Sequence, residues 1–184
     1  MKSKKLALAS TAVFFIILII SAWRPLSETQ SAYDEMPELI RITLPMMEVS
    51  KAHTLEVLDA MPEERFNYKP TEISKTFAEQ MVHIAYSIHL SSESMMKGNP
   101  VTPNEPDPSQ MSKAEIRRML SDSFDEMIES MKGLSAEDLA EVLPRGITRG
   151  QGVIFAHDHV TNHRAKANLY LRMNDIEPPK YKFL

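Results

Sequence analysis

Three histidines carry what chemistry this chain can do. His159 and His163 sit in the run HDHVTNHR at an i, i+4 spacing. That spacing stacks two imidazoles on one face of an α-helix, about one turn apart. His83 lies far upstream, in EQMVHIAYS. Brought up from a facing helix, it would complete a three-nitrogen site for one divalent metal and leave coordination positions open. Val160 follows His159, so the glutamate base of an HExxH zinc site is absent. The paired Glu-x-x-His pattern of di-iron bundles is missing too, and a mononuclear site is expected. Glu79, one turn before His83, is spaced either to hold that ring in its tautomer or to form an ordinary exposed i, i+4 pair with it. His53 and His89 read as surface or boundary residues, and His157 and Asp158 face away from the pair. Tyr170, Arg164 and Arg172 could reach a substrate. The reading preferred for each is structural, through an ion pair or a core hydroxyl bond. No second carboxylate is placed to act as a general base.

Composition narrows the field around these residues. The chain holds 184 residues, 43% hydrophobic and 25% charged, which suits one globular core. It has no cysteine. That excludes disulfides, thiolate nucleophiles, Cys-based zinc sites, iron–sulfur clusters and c-type haem attachment. Its 13 methionines are scattered, with Met119, Met127 and Met131 at helical spacing, and read as core filling rather than a soft-metal stripe.

The first 22 residues have their own logic. MKSKK is basic, Leu6 to Ala22 is an apolar run, and Trp23-Arg24-Pro25 ends it. This is expected to be a signal peptide or an N-terminal membrane anchor, with the remainder extracytoplasmic, periplasmic or secreted. Cleavage after Ala22 or Ala32 would fit. Loss of residues 1–22 takes the net charge from −4 to −7, because Lys2, Lys4 and Lys5 go and no acid does. A chain that acidic, without a basic stripe, is not expected to bind nucleic acid. The membrane is expected as a partner only through the N-terminal segment.

The positioning elements follow from periodicity. Residues 23–42 read as a polar linker, and the domain as 43–184. A first helix is expected from Thr43 or Leu44, with Pro45 in its first turn and Met47, Ala52, Leu55 and Leu58 inward. Phe66 and Tyr68 lie in a connector over 62–75 that packs on the bundle. A second helix begins near Ser74–Thr76 and runs to Gly98, with Phe77, Met81, Ile84 and Ile88 as its core stripe. The proline-rich stretch 99–111 is a long loop of the kind that shapes a pocket mouth. Ser112 and Glu115 form a capping box that opens a third helix, running to Gly133. Ser135 caps a short helix, AEDLAEVL, stopped by Pro144. Residues 144–152 read as a glycine-containing loop. The last helix spans about 152–174, with Ala156, His159, His163, Ala167 and Tyr170 on one face. The expected fold is all-α: an antiparallel four-helix bundle with a short extra helix.

Two segments carry a family resemblance. MPEERFNYKPTEISKTFAEQMVHIAYS, residues 61–87, is similar to the connector and second helix of the DinB-like (DinB/YfiT-like) superfamily of metal-dependent enzymes. HDHVTNHRAKANLYLRMNDIEPPKY, residues 157–181, resembles its H-x-x-x-H-R final helix and the ending that follows. Together the motifs span roughly residues 44–181. Ala165 and Asn174-Asp175 stand where glycines are familiar in the family. The resemblance implies a four-helix bundle, a metal site at His83, His159 and His163, and zinc or nickel as the ion. It also implies thiol-dependent S-transferase activity, as in some members, and pairing into homodimers; a water activated on such a metal would instead make the chain a hydrolase of a small-molecule substrate. The rival reading is a non-catalytic exported metal-binding or interaction bundle.

Overall fold

In the computed structural model, residues 33–183 are described. The expected leader lies outside them. Five α-helices make up the unit Pro37–Leu184: α1 (Glu38–Ala60), α2 (Phe77–Ser91), α3 (Lys113–Lys132), α4 (Ala136–Ala140) and α5 (Arg149–Met173). No strand forms among the described residues. None of their helices is long and apolar enough to cross a membrane. The core is Ile40, Met47 and Leu58 of α1, Phe77, Met81 and Ile84 of α2, Phe124 and Met127 of α3, and Val153 and Val160 of α5.

Side-chain pairs fix the helix order around the bundle and the sense of each helix. α3 meets α1 through Lys51–Asp125 at 2.6 Å and Arg117–Asp59 at 3.2 Å, so these two run antiparallel. α5 meets α2 through His163–Gln80 and His159–Ser87, again antiparallel. α2 and α3 run the same way, since His89 pairs with Glu126 and Ser92 with Ser130. The helix senses are therefore up, down, down, up for α1, α2, α3 and α5. The antiparallel relation holds for α1/α3 and α2/α5, and α2/α3 is parallel. A parallel pair of neighbours needs a crossover along the bundle. That requirement explains the long loop before Ser112: α2 with its final π turn (Ser92–Met96) rises roughly 30 Å, and the loop must return the whole way.

The loop descends α2 in reverse register. The Asn99 amide N–H donates to the Glu93 carbonyl at 2.9 Å, the Asn104 N–H to the Tyr86 hydroxyl at 3.0 Å, and Glu105 reaches Lys75 and His83.

Several boundaries differ from the periodicity reading. α1 starts at Glu38, not near Thr43, so residues 38–42 are helix rather than linker, and Pro45 sits two turns inside. An interior proline costs about 3 kcal/mol. Burial of Ile40 and Leu44 on the core face, at about 1.5–3 kcal/mol each, offsets it. The buried stripe of α1 runs through Met47, His53, Thr54, Val57 and Leu58, whereas Ala52 is exposed and Leu55 half-buried. α4 is shorter than AEDLAEVL: Glu141 leaves the helix, and Val142 pairs with Thr148 across a turn closed by Gly146 at φ +77°.

α5 starts at Arg149 inside the expected glycine loop. Thr148 and Gln151 form its capping box, with Thr148 Oγ1 accepting from the Gln151 N–H at 3.2 Å. Gly150 and Gly152 are helical. A Cβ at Gly152 would lie 3.2 Å from Met95 Sδ, so the glycine lets α5 press against the π turn.

Candidate metal centre

α2 presents Gln80, His83 and Ser87 on one face, at i, i+3 and i+7. α5 presents His159 and His163 against them. The three imidazoles each offer one nitrogen, and these nitrogens all lie within 4.8 Å of one another. His83 Nε2 and His159 Nε2 are 3.2 Å apart. The His163 ring centroid stands 4.4 Å from that of His83 and 4.5 Å from that of His159.

Hydrogen bonds decide which nitrogens face inward. Gln80 is buried, and its Oε1 accepts from His163 Nδ1–H at 2.7 Å. The Gln80 amide cannot turn over cheaply, because its Nε2 donates to the Tyr170 hydroxyl at 3.3 Å and that hydroxyl donates to the Lys75 carbonyl at 3.1 Å. His83 Nδ1–H donates to Glu105 Oε2 at 2.9 Å. Both rings therefore keep Nδ1 protonated and turn a bare Nε2 lone pair toward the shared centre. Ser87 Oγ lies 3.1 Å from His159 Nε2 and fills the remaining side.

Electrostatics disfavour the protonated form of His159 and His163. Burial, then the neighbouring His83 and His159, and then Lys166 and Lys75, push His163 down to about 3. Burial, followed by His83 and Lys166, lowers His159. At Glu105 burial raises the carboxyl, but the bonds from His83 and Lys75 outweigh it and hold it below the ordinary carboxylate value.

This donor set fits a divalent first-row metal. Two nitrogens about 2.0–2.1 Å from one tetrahedral ion lie about 3.4 Å apart, close to the His83–His159 separation. Three imidazoles with no carboxylate in the set suit a divalent transition metal better than magnesium or calcium.

The three expected ligands are brought together. Glu79 does not hold the His83 tautomer: its Oε2 accepts from the Thr76 backbone N–H at 2.6 Å, closing the capping box of its own helix. Glu105 takes that role from the crossover loop. Gln80 was missed, although it stands as a polar residue one turn before His83 on the same face. Glu105 had no such signal, because it lies in a stretch without periodicity. His157 lies off the cluster, with Nε2 3.2 Å from Ser50 Oγ. Tyr170 is a core hydroxyl, as expected. Arg172 is exposed, and His89 is exposed and paired with Glu126. His53, read as a surface or boundary residue, is buried instead.

A family model of the DinB superfamily matches residues 46–167. The chain belongs to the DinB superfamily. Solved structures agree on the fold. A DinB-like protein from Bacillus subtilis is 19% identical, with 77% of this chain and 99% of that one covered at a TM-score of 0.64. One from Bacillus cereus is 16% identical, with 76% and 95% covered at 0.66. A conserved protein from Enterococcus faecalis is 17% identical, with 72% and 94% covered at 0.57. A comparison with curated proteins finds no match. At these identities the structures speak for the DinB fold alone.

Proposed function

We propose that this DinB-superfamily chain is an exported mononuclear metalloenzyme that uses zinc or nickel to hydrolyse a small molecule. The observation that carries the reading is the orientation of three imidazoles. Two have Nδ1 tied outward by Gln80 and Glu105, and all three offer nitrogen to one point. Three ring nitrogens that converge on one point, with His163 buried, are a donor set that a shared divalent cation would complete. A divalent cation there supplies Lewis acidity, lowering the pKa of a water or a thiol that reaches it.

The chain's own residues have distinct parts in this reading. His83, His159 and His163 bind. Gln80 and Glu105 orient. Ser87 Oγ, beside His159, is the hydroxyl placed to hydrogen-bond an incoming oxygen. Phe155, half-exposed and 5.6 Å from the His159 ring, walls the rim with apolar surface. Hydrolysis is preferred over thiol transfer because the N-terminal sequence directs the domain out of the cytoplasm, where small-thiol cosubstrates are mainly found. The leader confines any membrane attachment to the N-terminal segment. The acidic charge speaks against nucleic acid.

The test is turnover of a panel of carboxylic and phosphoric esters and amides by the full chain. Each substrate is offered to zinc-loaded, nickel-loaded and chelated protein and to His163→Ala. Hydrolysis that requires both metal and His163 supports the reading. Tight metal binding with no turnover of any of them favours the non-catalytic alternative.

A further inference from the structure

α5 has a second polar face, turned away from the metal centre and toward α1. Arg164 lies there at 6% exposure. Its hydrogen bond is a long one, from Nη1 to the Ser50 carbonyl at 3.4 Å, and no carboxylate among the described residues is paired with it. The structural role expected for this arginine is thus not met by an ion pair among the described residues. A guanidinium has five N–H donors and stays protonated, and a buried cation without a counter-charge is costly. His53 adds a second unsatisfied group. It is 2% exposed, and its Nε2 has no hydrogen-bond partner. Both residues line one cavity of about 80 Å³, together with Ser50, His157, Tyr181 and Lys182. The nearby acids are otherwise placed: Glu56 pairs with Lys182 at 3.0 Å, and Asp158 is exposed.

We propose that Arg164 and His53, with His157 beside them, bind one compact oxyanion in this cavity, the head of a carboxylate or a tetrahedral sulfate or phosphate. The planar fork of Arg164 suits two oxygens of either group. His53 Nδ1–H is bonded to the Pro179 carbonyl, so the partnerless Nε2 donates to the anion only from the protonated ring, a form that an oxyanion beside it would favour. The Tyr181 ring, 5.9 Å from His53 and edge-on, closes the outer wall, so the volume admits a head group and little more. The site does not share a side chain with the metal centre, and its fate is independent of the hydrolase reading.

The experiment is the thermal midpoint of metal-stripped, desalted full chain, titrated with sodium sulfate or with sodium acetate. Sodium chloride at equal ionic strength is the reference. Sulfate stabilises many proteins by exclusion from their surface, so saturation and variant dependence are what count. The expected result is a saturable rise with at least one of the two anions over chloride, absent in Arg164→Met. Which anion responds assigns the head group. His53→Gln keeps the guanidinium and is expected to weaken the midpoint concentration about tenfold; it stands in should Arg164→Met fail to fold. A response no different from chloride, or one that persists unchanged in the variants, overturns the proposal.

Discussion

At the scale of single residues, the proposed metal centre depends on side chains outside its three imidazoles. Gln80 and Glu105 hold two rings by Nδ1. Loss of such partners typically costs 10–100-fold in metal affinity. Gln80→Leu and Glu105→Ala are each expected to weaken zinc binding by about that much in a competition titration, while Glu79→Gln, which alters only a helix cap, leaves it unchanged. The buried histidines also set an acid limit for the metal-free fold. Unfolded, the His163 ring takes a proton near 6.5; folded, burial and its neighbours hold it down to about 3. Its contribution to stability is complete above 6.5 and is lost as pH falls from there toward 3. His53, His157 and His159 are lowered as well, burial being the largest cause for each. The thermal midpoint of chelated protein should therefore fall between about pH 7 and about pH 4, and less steeply in His163→Gln. Equal slopes would contradict the buried, neutral ring.

At the scale of elements, α2 and α5 supply all three imidazoles of the proposed site, and their packing sets the ring spacing. Arg149 ties the two together. Its Nη1 donates to the Met95 and Met96 carbonyls at 2.5 and 2.6 Å, and its Nη2 meets Glu141. A buried cation on the last carbonyls of a helix also complements the helix dipole. Arg149→Met leaves those carbonyls without partners and is expected to destabilise by about 2–3 kcal/mol, read as a lower denaturant midpoint at unchanged slope.

Much of this level was legible in the sequence. Phe77, Met81, Ile84 and Ile88 repeat at helical spacing and are all buried. Ser112 with Glu115 announces α3, and the i, i+4 histidines announce a face of α5. The misreadings have physical causes. Thr148 with Gln151 is as good a capping box as Ser112 with Glu115, but two glycines beside it suggested a loop; only the tertiary approach of Met95 explains why glycine stands there. Pro45 suggested a first turn, and the burial of Ile40 outweighed it. Glu105 could not be found from spacing, because a crossover places residues by the path of the chain and not by period.

At the scale of the whole molecule, an up-down-down-up bundle joins chemistry to connectivity. The crossover that lets α2 and α3 run parallel is the same segment that lays Glu105 on His83. The ion should then act as a staple between α2 and α5. At a thousandfold excess over its dissociation constant, a ligand that binds only the folded state adds about 4 kcal/mol, and chelation should lower the thermal midpoint accordingly. The most direct measurement is an equilibrium zinc titration of chelated full chain beside His83→Ala, His159→Ala and His163→Ala. One ion per wild-type chain, with affinity reduced at least a hundredfold in every variant, is the result expected of three converging imidazoles. No stoichiometric binding by the wild type, or a single-histidine variant that binds as tightly, would contradict it.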